Sequence, residues 1–427
     1  MSSINPPPRR WRRRMRAVHL AARLAGTDGV SLEATKVAHT LASWGFERLD
    51  IAGETETPHA ICVPGMAFGA AAATTLGLRA FGDDAPDRSL ETALDEASDE
   101  LAETLLPLIR EAAPDLLVIQ NAWAIPMQLP LAGALARVVE QTGLPTLSHE
   151  HDYRWERERY ARTRIPDWLD RYFPFDATNV RHLAINTPAA EALLARRGLE
   201  ATVVPNVMDF AHAESAQRRE PHVRSEVRAA LGLAESQRLF LQPTRVVPRK
   251  GIHHAIELLA RLHDLRNVLL ISHASGDEGH ATLAELQAQA HEAGVDLRYR
   301  PDLFAPTRTA TAFALEDAYL AADFVTYPSL YEGFGNALLE TVAYRRPALV
   351  NRYAVYVRDI APTAMRFVEI DGAITDESVE QVRALLNDAD ARRAMTESNY
   401  EIAARHFGLP ALRSALAQPL TSLGVLP

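Results

Sequence analysis

The sequence predicts two α/β domains, each built on a parallel sheet. A chain of 427 residues is too long for one ordinary hydrophobic core and suits two domains. In the second half, short apolar runs alternate with helical patterns, which is typical of this architecture. In the first half, Leu116 to Gln120 is a continuous apolar run of the kind found in parallel sheets that are covered on both faces.

The composition excludes several classes of protein. Hydrophobic residues make up 47% of the chain and charged residues 23%, as in ordinary globular proteins. The net charge of −10 argues against a general nucleic-acid binder. Cys62 is the only cysteine, which excludes an internal disulfide and favours a reducing, cytoplasmic setting. The sequence has no uninterrupted apolar run of about 18 residues, so no membrane-spanning helix is predicted.

The N-terminus departs from this acidic balance. Residues 6–16 read PPPRRWRRRMR and lack the apolar core of a signal peptide. We favour a disordered leader that ends at the first strand, predicted at Ala17 to Ala22. The alternative is a peripheral contact of residues 9–16 with the inner face of an anionic membrane, with Trp11 at the interface.

The stretch from Ala322 to Arg346 carries the strongest functional signal. Its apolar run Phe324 to Tyr327 predicts a strand, which is followed by the loop EGFG and by a helical pattern from Asn336. A strand, a glycine loop and a helix in this order aim backbone N–H groups and the positive end of the helix dipole at one point, where phosphate commonly binds. Gly333 and Gly335 would let a ligand approach the backbone closely.

Two carboxylates flank this loop. Glu332 would repel a phosphate, so we expect it to face other groups, such as sugar hydroxyls. Glu340 lies one to two turns into the predicted helix and could accept hydrogen bonds from a ribose diol. Two glutamates eight residues apart are common in helices, so a solvated helix without a binding role is the alternative.

A second loop in the same half is basic. Residues 240–251 read FLQPTRVVPRKG, a predicted strand and loop that lead into a helix from Ile252 to Leu262. Arg245 and Lys250 could neutralise a diphosphate together and stabilise a departing nucleotide. The alternative is a surface loop with ordinary basic residues, but the EGFG loop nearby favours the functional interpretation.

Together the two stretches, R-x4-KG followed by PS-x2-EGFG-x4-E, closely resemble the C-terminal domain of the retaining GT-B glycosyltransferases of family 4, also called group 1. The resemblance covers most of residues 201–407. In that family the Arg and Lys bind the donor diphosphate, the first Glu contacts the transferred sugar, and the second contacts the ribose. These roles would fall on Arg245, Lys250, Glu332 and Glu340.

The resemblance implies further donor contacts and one departure. Residues 333–335 would contribute backbone N–H groups, and Leu303 would lie near the nucleotide base. After the predicted strand Ala348 to Asn351 the family has glycines and an acidic residue, whereas this chain reads NRYAVYVRDI. This departure weakens any transfer of donor specificity. The donor-binding candidates are Arg245, Lys250, Leu303, Gly333, Phe334, Gly335 and Glu340.

The resemblance also implies a GT-B fold, in which two Rossmann-like domains face a cleft and the last helix crosses back to the first domain. The predicted divisions are a basic leader (1–16), an acceptor-binding domain (17–210), a linker (211–223), a nucleotide-sugar-binding domain (224–397) and a helical segment that packs back on the first domain (398–427).

Candidates for acceptor binding lie in the first domain. The family has a loop with a pair of adjacent glycines here, near the donor phosphates and the acceptor, whereas this chain has Gly26, Thr27, Asp28 and Gly29. Asp28 could hold an acceptor hydroxyl or could cap the turn. Residues that follow the strand Leu116 to Gln120 lie at the carboxyl edge of the predicted sheet, where open α/β sheets bind ligands. The candidates from these two places are Thr27, Asp28, Gly29, Asn121 and Trp123.

The segment SHEHDYRW follows a strand predicted at Leu144 to Ser148. In the family, a histidine right after this strand often contacts the donor sugar, and His149 matches best by position. His151 and Asp152 are second choices, and Tyr153 is a further acceptor candidate. A histidine that merely caps a loop is the alternative. We predict no metal site, because adjacent residues diverge in an extended loop and no partner ligands stand at recognisable spacing.

The predicted activity is transfer of a hexose, with retention, from a nucleotide diphosphate sugar to a hydroxyl of a small hydrophilic or saccharide acceptor. A UDP-sugar is favoured as donor, with GDP-mannose as the other candidate. Catalysis is assigned to Glu332, Arg245, Lys250 and His149, without metal or cofactor, because the two basic residues supply the positive charge. The alternatives are an epimerase or hydrolase acting on the same nucleotide sugar, or a non-catalytic scaffold that binds it.

Overall fold

The computed structural model describes residues 14–26, 28–274 and 280–427. The chain divides into two compact units, of which the first comprises Met1–His182 with Ala417–Pro427 and the second Leu183–Leu416. Among the described helices, none combines the length and the apolar character needed to cross a bilayer.

The first sheet has seven strands among the described residues, in the order β3-β2-β1-β4-β5-β6-β7. The contacts from β3 through β5 are all parallel, and the boundary between the two units falls within β6. The predicted central strand is confirmed as β4, which is buried along its whole length. The strands are β1 (Met15–Leu24), β2 (Phe46–Thr55), β3 (Ile61–Cys62), β4 (Leu116–Gln120), β5 (Thr146–Glu150), β6 (Val180–Ala184) and β7 (Ala201–Val203).

Helices follow most of these strands and begin and end at residues suited to helix termini. Asp28 caps α1, Asn186 caps α6, and glycines 143 and 198 end α4 and α6 in the left-handed conformation. Leucine, isoleucine and valine side chains of α3 and α4 form the main core with β4. The helices are α1 (Gly29–Ala42), α2 (Ala71–Ala80), α3 (Arg88–Ala112), α4 (Leu129–Thr142), α5 (Pro166–Tyr172) and α6 (Thr187–Arg197).

The second sheet has six strands among the described residues, in the order β10-β9-β8-β13-β14-β15, and all of its contacts are parallel. A short parallel pair, β11 with β12, lies outside it. The strands are β8 (Arg238–Gln242), β9 (Asn267–Ile271), β10 (Asp296–Tyr299), β11 (Phe304–Ala305), β12 (Phe313–Ala314), β13 (Phe324–Tyr327), β14 (Ala348–Asn351) and β15 (Val368–Ile370). The helices are α7 (Phe210–Gln217), α8 (Glu220–Ala230), α9 (Ile252–Leu262), α10 (His280–Glu292), α11 (Leu315–Ala321), α12 (Asn336–Ala343), α13 (Asp376–Asn387), α14 (Ala389–Phe407) and α15 (Leu409–Ser422).

Two parallel α/β units confirm the predicted fold class, but several limits differ from those expected. The segment 211–223 is helical and not a linker: its small apolar side chains Ala213, Ala216 and Val223 are buried in the core of the second unit. The units divide at His182, earlier than residue 210, and of the predicted C-terminal segment only residues 417–427 belong to the first unit.

The leader is also shorter than expected, because β1 begins at Met15. Arg16 is held in this strand by its backbone N–H, which donates to Asp115 Oδ2 at 2.8 Å, and by its guanidinium, which donates to the Ala112 carbonyl at 2.7 Å. The rest of the leader, residues 1–13, lies outside the described residues, and so does most of the segment proposed to contact a membrane.

Candidate active site

The two loops with the strongest motifs lie side by side at the carboxyl edge of the second sheet. Strands β8 and β13 are neighbours, with Phe240 opposite Phe324, so the loops that follow them leave the sheet together. The Leu330 N–H donates to the Arg249 carbonyl at 2.8 Å and ties one loop to the other. Because the sheet is parallel, this edge is where an α/β domain binds its ligand.

Lys250 and Glu332, predicted separately from these two motifs, form an ion pair in the structure. Lys250 Nζ lies 2.5 Å from Glu332 Oε1, and Arg249 Nη1 lies 3.4 Å from the other carboxylate oxygen. The Lys250 and Glu332 side chains are only 11% and 9% exposed. Burial lowers the pKa of Lys250, against the attraction of Glu332. Burial alone would raise the pKa of Glu332, but the attraction and hydrogen bond of Lys250 outweigh it, so that the pKa of Glu332 is lowered.

Arg245 is a second cation beside this pair. It is exposed, and it has neither a hydrogen bond nor an ion pair among the residues that the structure describes. Its positive charge lowers the pKa of Lys250, after the larger effect of burial, so the two cations are close enough to repel each other. A cation without a partner next to a buried basic residue is suited to an anion with more than one negative charge.

The EGFG loop is held by its carbonyl groups. Asn186 Nδ2 donates to the Gly333 carbonyl at 2.6 Å, and the Tyr353 hydroxyl donates to the Phe334 carbonyl at 2.7 Å. Gly335 has φ +125°, and a Cβ there would lie 2.5 Å from Tyr353 Oη. The N–H groups of residues 333–335 donate no hydrogen bond within the described chain. The loop therefore presents unused donors next to the N-terminus of α12, as an anion site requires.

Glu340 lies in the second turn of α12 and is half-buried. The Tyr319 hydroxyl donates to Glu340 Oε2 at 2.6 Å, which fixes the orientation of the carboxylate. Leu303, expected near the nucleotide base, is partly buried in a turn before β11 and packs against the core of the second unit.

The aspartate of the first glycine loop caps a helix. Asp28 Oδ1 accepts from the N–H groups of Val30 and Ser31, both at 3.1 Å. Its Oδ2 accepts from Ser31 Oγ at 2.8 Å and pairs with Arg23 at 3.3 Å. Of the two interpretations of Asp28, the structure shows the capping one. Gly29 is the first residue of α1, and Thr27 lies outside the described residues.

At the carboxyl ends of β4 and β5 the structure brings together three of the predicted acceptor candidates. Asn121, at φ +55°, accepts from the His151 N–H at 2.9 Å and donates to Asp152 Oδ1 at 3.2 Å. Trp123 does not join them. It is fully buried, its indole N–H donates to the Ala132 carbonyl at 2.9 Å, and it packs on Phe175 as part of the core.

The two histidines of the segment SHEHDYRW occupy different places. Strand β5 ends at Glu150, so His149 lies within the strand, and the position right after it belongs to His151. His149 Nδ1 lies 3.1 Å from Gln120 Oε1, and its Nε2 is buried without a partner among the described residues. The two rings are 4.5 Å apart. Burial lowers the pKa of His149 well below its usual range and that of His151 to about 3, so both are neutral at physiological pH.

Tyr153, the remaining acceptor candidate, is buried. Its ring stacks on Trp155 at 4.6 Å, and its hydroxyl has no partner among the described residues. No group of three or more histidine, cysteine or acidic residues in the described ranges is placed to hold a metal ion.

Sequence reasoning missed the residues that support the site. Asn186 was recognisable as a helix cap, because it precedes Thr-Pro at the start of α6, but its contact with Gly333 depends on tertiary structure. Tyr353 lies in the segment that departs from the family pattern, and nothing local marks it as a partner of the EGFG loop. The same holds for Tyr319, which lies 21 positions before Glu340.

Comparisons with known proteins agree with this geometry. The model of the family "Glycosyl transferases group 1" matches residues 223–402. Mannosylglucosylglycerate synthase of Thermotoga maritima is 31% identical over 426 residues, which cover 92% of this chain and 96% of that protein.

Solved structures share the fold along almost the whole chain. A glycosyltransferase from Rickettsia africae has a TM-score of 0.68 at 13% identity and covers 96% of this chain and 99% of its own. Anabaena HepE in complex with UDP and glucose has a TM-score of 0.64 at 17% identity and covers 96% of this chain and 100% of its own. The fold is therefore GT-B, and the chain belongs to the group 1 glycosyltransferases.

Proposed function

We propose that this enzyme transfers a hexose from a nucleotide diphosphate sugar to a hydroxyl of a small saccharide acceptor, with retention at the anomeric carbon. The observation that carries the proposal is the buried ion pair of Lys250 and Glu332 beside Arg245, which has no partner in the described part of the chain. These three side chains stand at a loop with unused N–H donors, and they have the charges that a diphosphate and a sugar would require.

In the proposed reaction the second unit activates the leaving group. Arg245 and Lys250 neutralise the diphosphate as the bond from the anomeric carbon to the phosphate oxygen breaks, and the N–H groups of residues 333–335 assist them. Glu332 orients the hydroxyls of the transferred sugar, and Glu340 binds the ribose. The acceptor hydroxyl attacks from the face that the phosphate leaves, and the leaving phosphate oxygen takes its proton. No metal is needed in this scheme, because the basic side chains carry the positive charge.

The first unit supplies the acceptor contacts in this proposal. Asn121, His151 and Asp152 form a connected polar group at the ends of β4 and β5, and the neutral imidazole of His151 or His149 can hydrogen-bond a sugar hydroxyl without adding charge. The relative from Thermotoga maritima is named for a product with mannosyl, glucosyl and glycerate parts. A small glycoside acceptor with a carboxylate, and a mannosyl donor beside the favoured UDP-sugar, are therefore the first substrates to test.

Calorimetry of UDP, GDP and ADP, and of their sugars, without added metal tests the proposal. We expect one nucleotide class to bind, and Lys250→Ala to abolish that binding. Arg266→Ala is the matched control, because Arg266 is an exposed cation of the same unit whose ion-pair partner among the described residues is Asp264. Failure of all three classes to bind would overturn the proposal. Turnover of the bound nucleotide sugar in the absence of any acceptor would show a hydrolase or an epimerase instead.

A further inference from the structure

His273 is a polar residue at the same sheet edge that no motif identified. Strands β8 and β9 are parallel neighbours, with Gln242 opposite Ile271. Two positions further along, Thr244 and His273 follow the two strands, and Arg245 comes next on the β8 side. The register alone therefore places the imidazole beside the loop that carries both basic residues of the proposed diphosphate site.

The contacts of His273 leave one ring nitrogen for a ligand. Its Nδ1 lies 3.0 Å from Ser272 Oγ, and the ring has no other hydrogen-bond partner among the residues that the structure describes. When the serine hydroxyl donates to Nδ1, the ring proton is on Nε2, which then acts as a donor.

The charges around His273 favour an anion. Burial, followed by the charges of Lys250 and Arg245, lowers the pKa of His273 to about 4. On the other side of β9, Arg300 donates its backbone N–H to the Ile271 carbonyl at 3.1 Å, and its guanidinium is paired with Asp302 at 2.8 Å. Among the described residues, the charges that lower the pKa of the imidazole are thus those of Arg245 and of Lys250, of which Lys250 is paired with Glu332, so His273 is a neutral donor beside two cations.

We propose that His273 donates a hydrogen bond from Nε2 to the diphosphate of the donor and forms, with Arg245 and Lys250, a three-residue anion site. This inference rests on the proposed function and adds to it a residue that is not part of the sequence motifs. A neutral donor adds a directed contact without increasing the repulsion that two close cations already feel.

Binding of the donor should be linked to protonation of His273. A bound diphosphate offsets the two positive charges and so raises the pKa of His273 above its value in the free protein. Between the two pKa values, binding must be accompanied by proton uptake, and affinity must increase as the pH falls toward about 4. A nucleotide sugar is the suitable probe, because its diphosphate is esterified at both ends and does not itself gain a proton in this range.

Calorimetry with UDP-glucose and GDP-mannose, at about pH 5 and about pH 7.5 in buffers of different ionisation enthalpy, measures this uptake directly. We expect the wild type to take up protons at the acidic pH. His273→Gln, which keeps a donor but does not titrate, should lose that uptake and bind within about threefold of the wild type at neutral pH. His273→Ala should bind about tenfold more weakly, which is the loss expected for one hydrogen bond. His222→Gln is the control, because His222 is 79% exposed on α8, and it should match the wild type.

Wild-type affinity and uptake in both His273 variants would overturn the inference. If Lys250→Ala abolishes binding in the same series, the proposed function survives that result and only the role of His273 falls. If the wild type binds no nucleotide sugar, both fall. A histidine NMR titration of the wild type with and without the nucleotide sugar gives the same answer without relying on a variant, and an imidazole shift that the ligand does not alter would contradict the role.

Discussion

Lys250 is one of two lysines in the chain, so 43 of the 45 Lys and Arg residues are arginine. Its Nζ is enclosed by Glu332 at 2.5 Å and by the ring of Tyr327, whose centroid is 6.0 Å away. A compact ammonium fits this position, whereas a planar guanidinium needs more room and a different set of partners.

Lys250→Arg should therefore weaken nucleotide binding although it conserves the charge. We expect a loss of about tenfold, because a larger group forced into a buried site displaces its neighbours. Lys250→Arg and Lys250→Ala are each titrated with the nucleoside diphosphate that the wild type binds. Comparing the two affinities separates the effect of side-chain shape from the effect of charge. An arginine variant that binds like the wild type would show that only the charge matters at this position.

Glu332 and Lys250 compensate each other in the free protein, so Glu332→Gln should separate binding from transfer. The variant removes the anion next to the diphosphate site, and the nucleoside diphosphate should bind at least as tightly as to the wild type. Transfer should fall on the order of 10²-fold, as expected when one charged contact to the reacting group is lost. The check is the dissociation constant of the nucleotide together with kcat. Undiminished kcat would remove Glu332 from its assigned role.

The residues of the second unit were predictable because their motifs combine residue types with fixed spacing. Strand, loop and helix follow one another locally, and the parallel sheet then brings the ends of β8 and β13 together. Asp28 and Trp123 show the limit of such reasoning. An aspartate before a helix fits a cap and a ligand equally well in sequence. The burial of Trp123 depends on its contacts with Ala132 of α4 and with Phe175, which only the folded structure reveals.

The conformation of the EGFG loop depends on Gly335. Its φ of +125° is a conformation that side chains rarely adopt, and a Cβ would lie 2.5 Å from Tyr353 Oη. The segment NRYAVYVRDI, which departs from the family pattern, supplies this tyrosine. The segment that departs from the family pattern therefore contacts the loop that carries Glu332.

Gly335→Ala should destabilise the second unit by about 2 kcal/mol, through backbone strain and the contact with Tyr353. Thermal unfolding measures the change, and a loss of nucleotide affinity should accompany it. Gly77→Ala in α2 is the matched control, because a Cβ there meets open space and the change favours a helix. Combining Gly335→Ala with Tyr353→Phe should restore only part of the stability, because the strain of the backbone remains. Full recovery in the double variant would show that the contact alone is responsible.

Strands and helices with a long hydrophobic pattern were largely predictable from the sequence. Strand β4 occurs at the residues where it is predicted, since four consecutive apolar residues, Leu116 to Ile119, favour a buried strand. The composition of the segment 211–223 predicts a linker, because polar residues dominate it. The structure is helical there, because the few apolar residues recur at helical spacing and are buried. The limits of the units depend on tertiary contacts, which no local pattern contains.

The buried titratable groups of the first unit predict how its stability changes with pH. Burial lowers the pKa of His19 to about 4 and that of His151 to about 3, from a usual value of 6.5. Below about pH 6.5 the unfolded chain binds protons that the folded chain does not, so stability must fall as the pH is lowered. Glu150 acts in the opposite direction, because burial raises its pKa from 4.5 to about 8. Here the folded chain holds the extra proton, and stability must fall as the pH rises from about 4.5 through about 8.

The two effects together predict a maximum of stability near pH 6.5, and Glu150→Gln tests its alkaline side. An amide keeps the size of the protonated carboxyl and has no proton to lose, so the variant should not share the decline of the wild type above the maximum. One linked proton changes the free energy of unfolding by about 1.4 kcal/mol per pH unit, and a difference of about 2 kcal/mol should therefore develop between about pH 6.5 and about pH 8. Urea unfolding from about pH 5 to about pH 8.5 measures it. Glu103→Gln, an exposed position on α3, should follow the wild type throughout. Parallel curves for Glu150→Gln and the wild type would mean that Glu150 is ionised in the folded protein, and His182, whose Nδ1 lies 4.0 Å from Glu150 Oε1, would then be the cation to test.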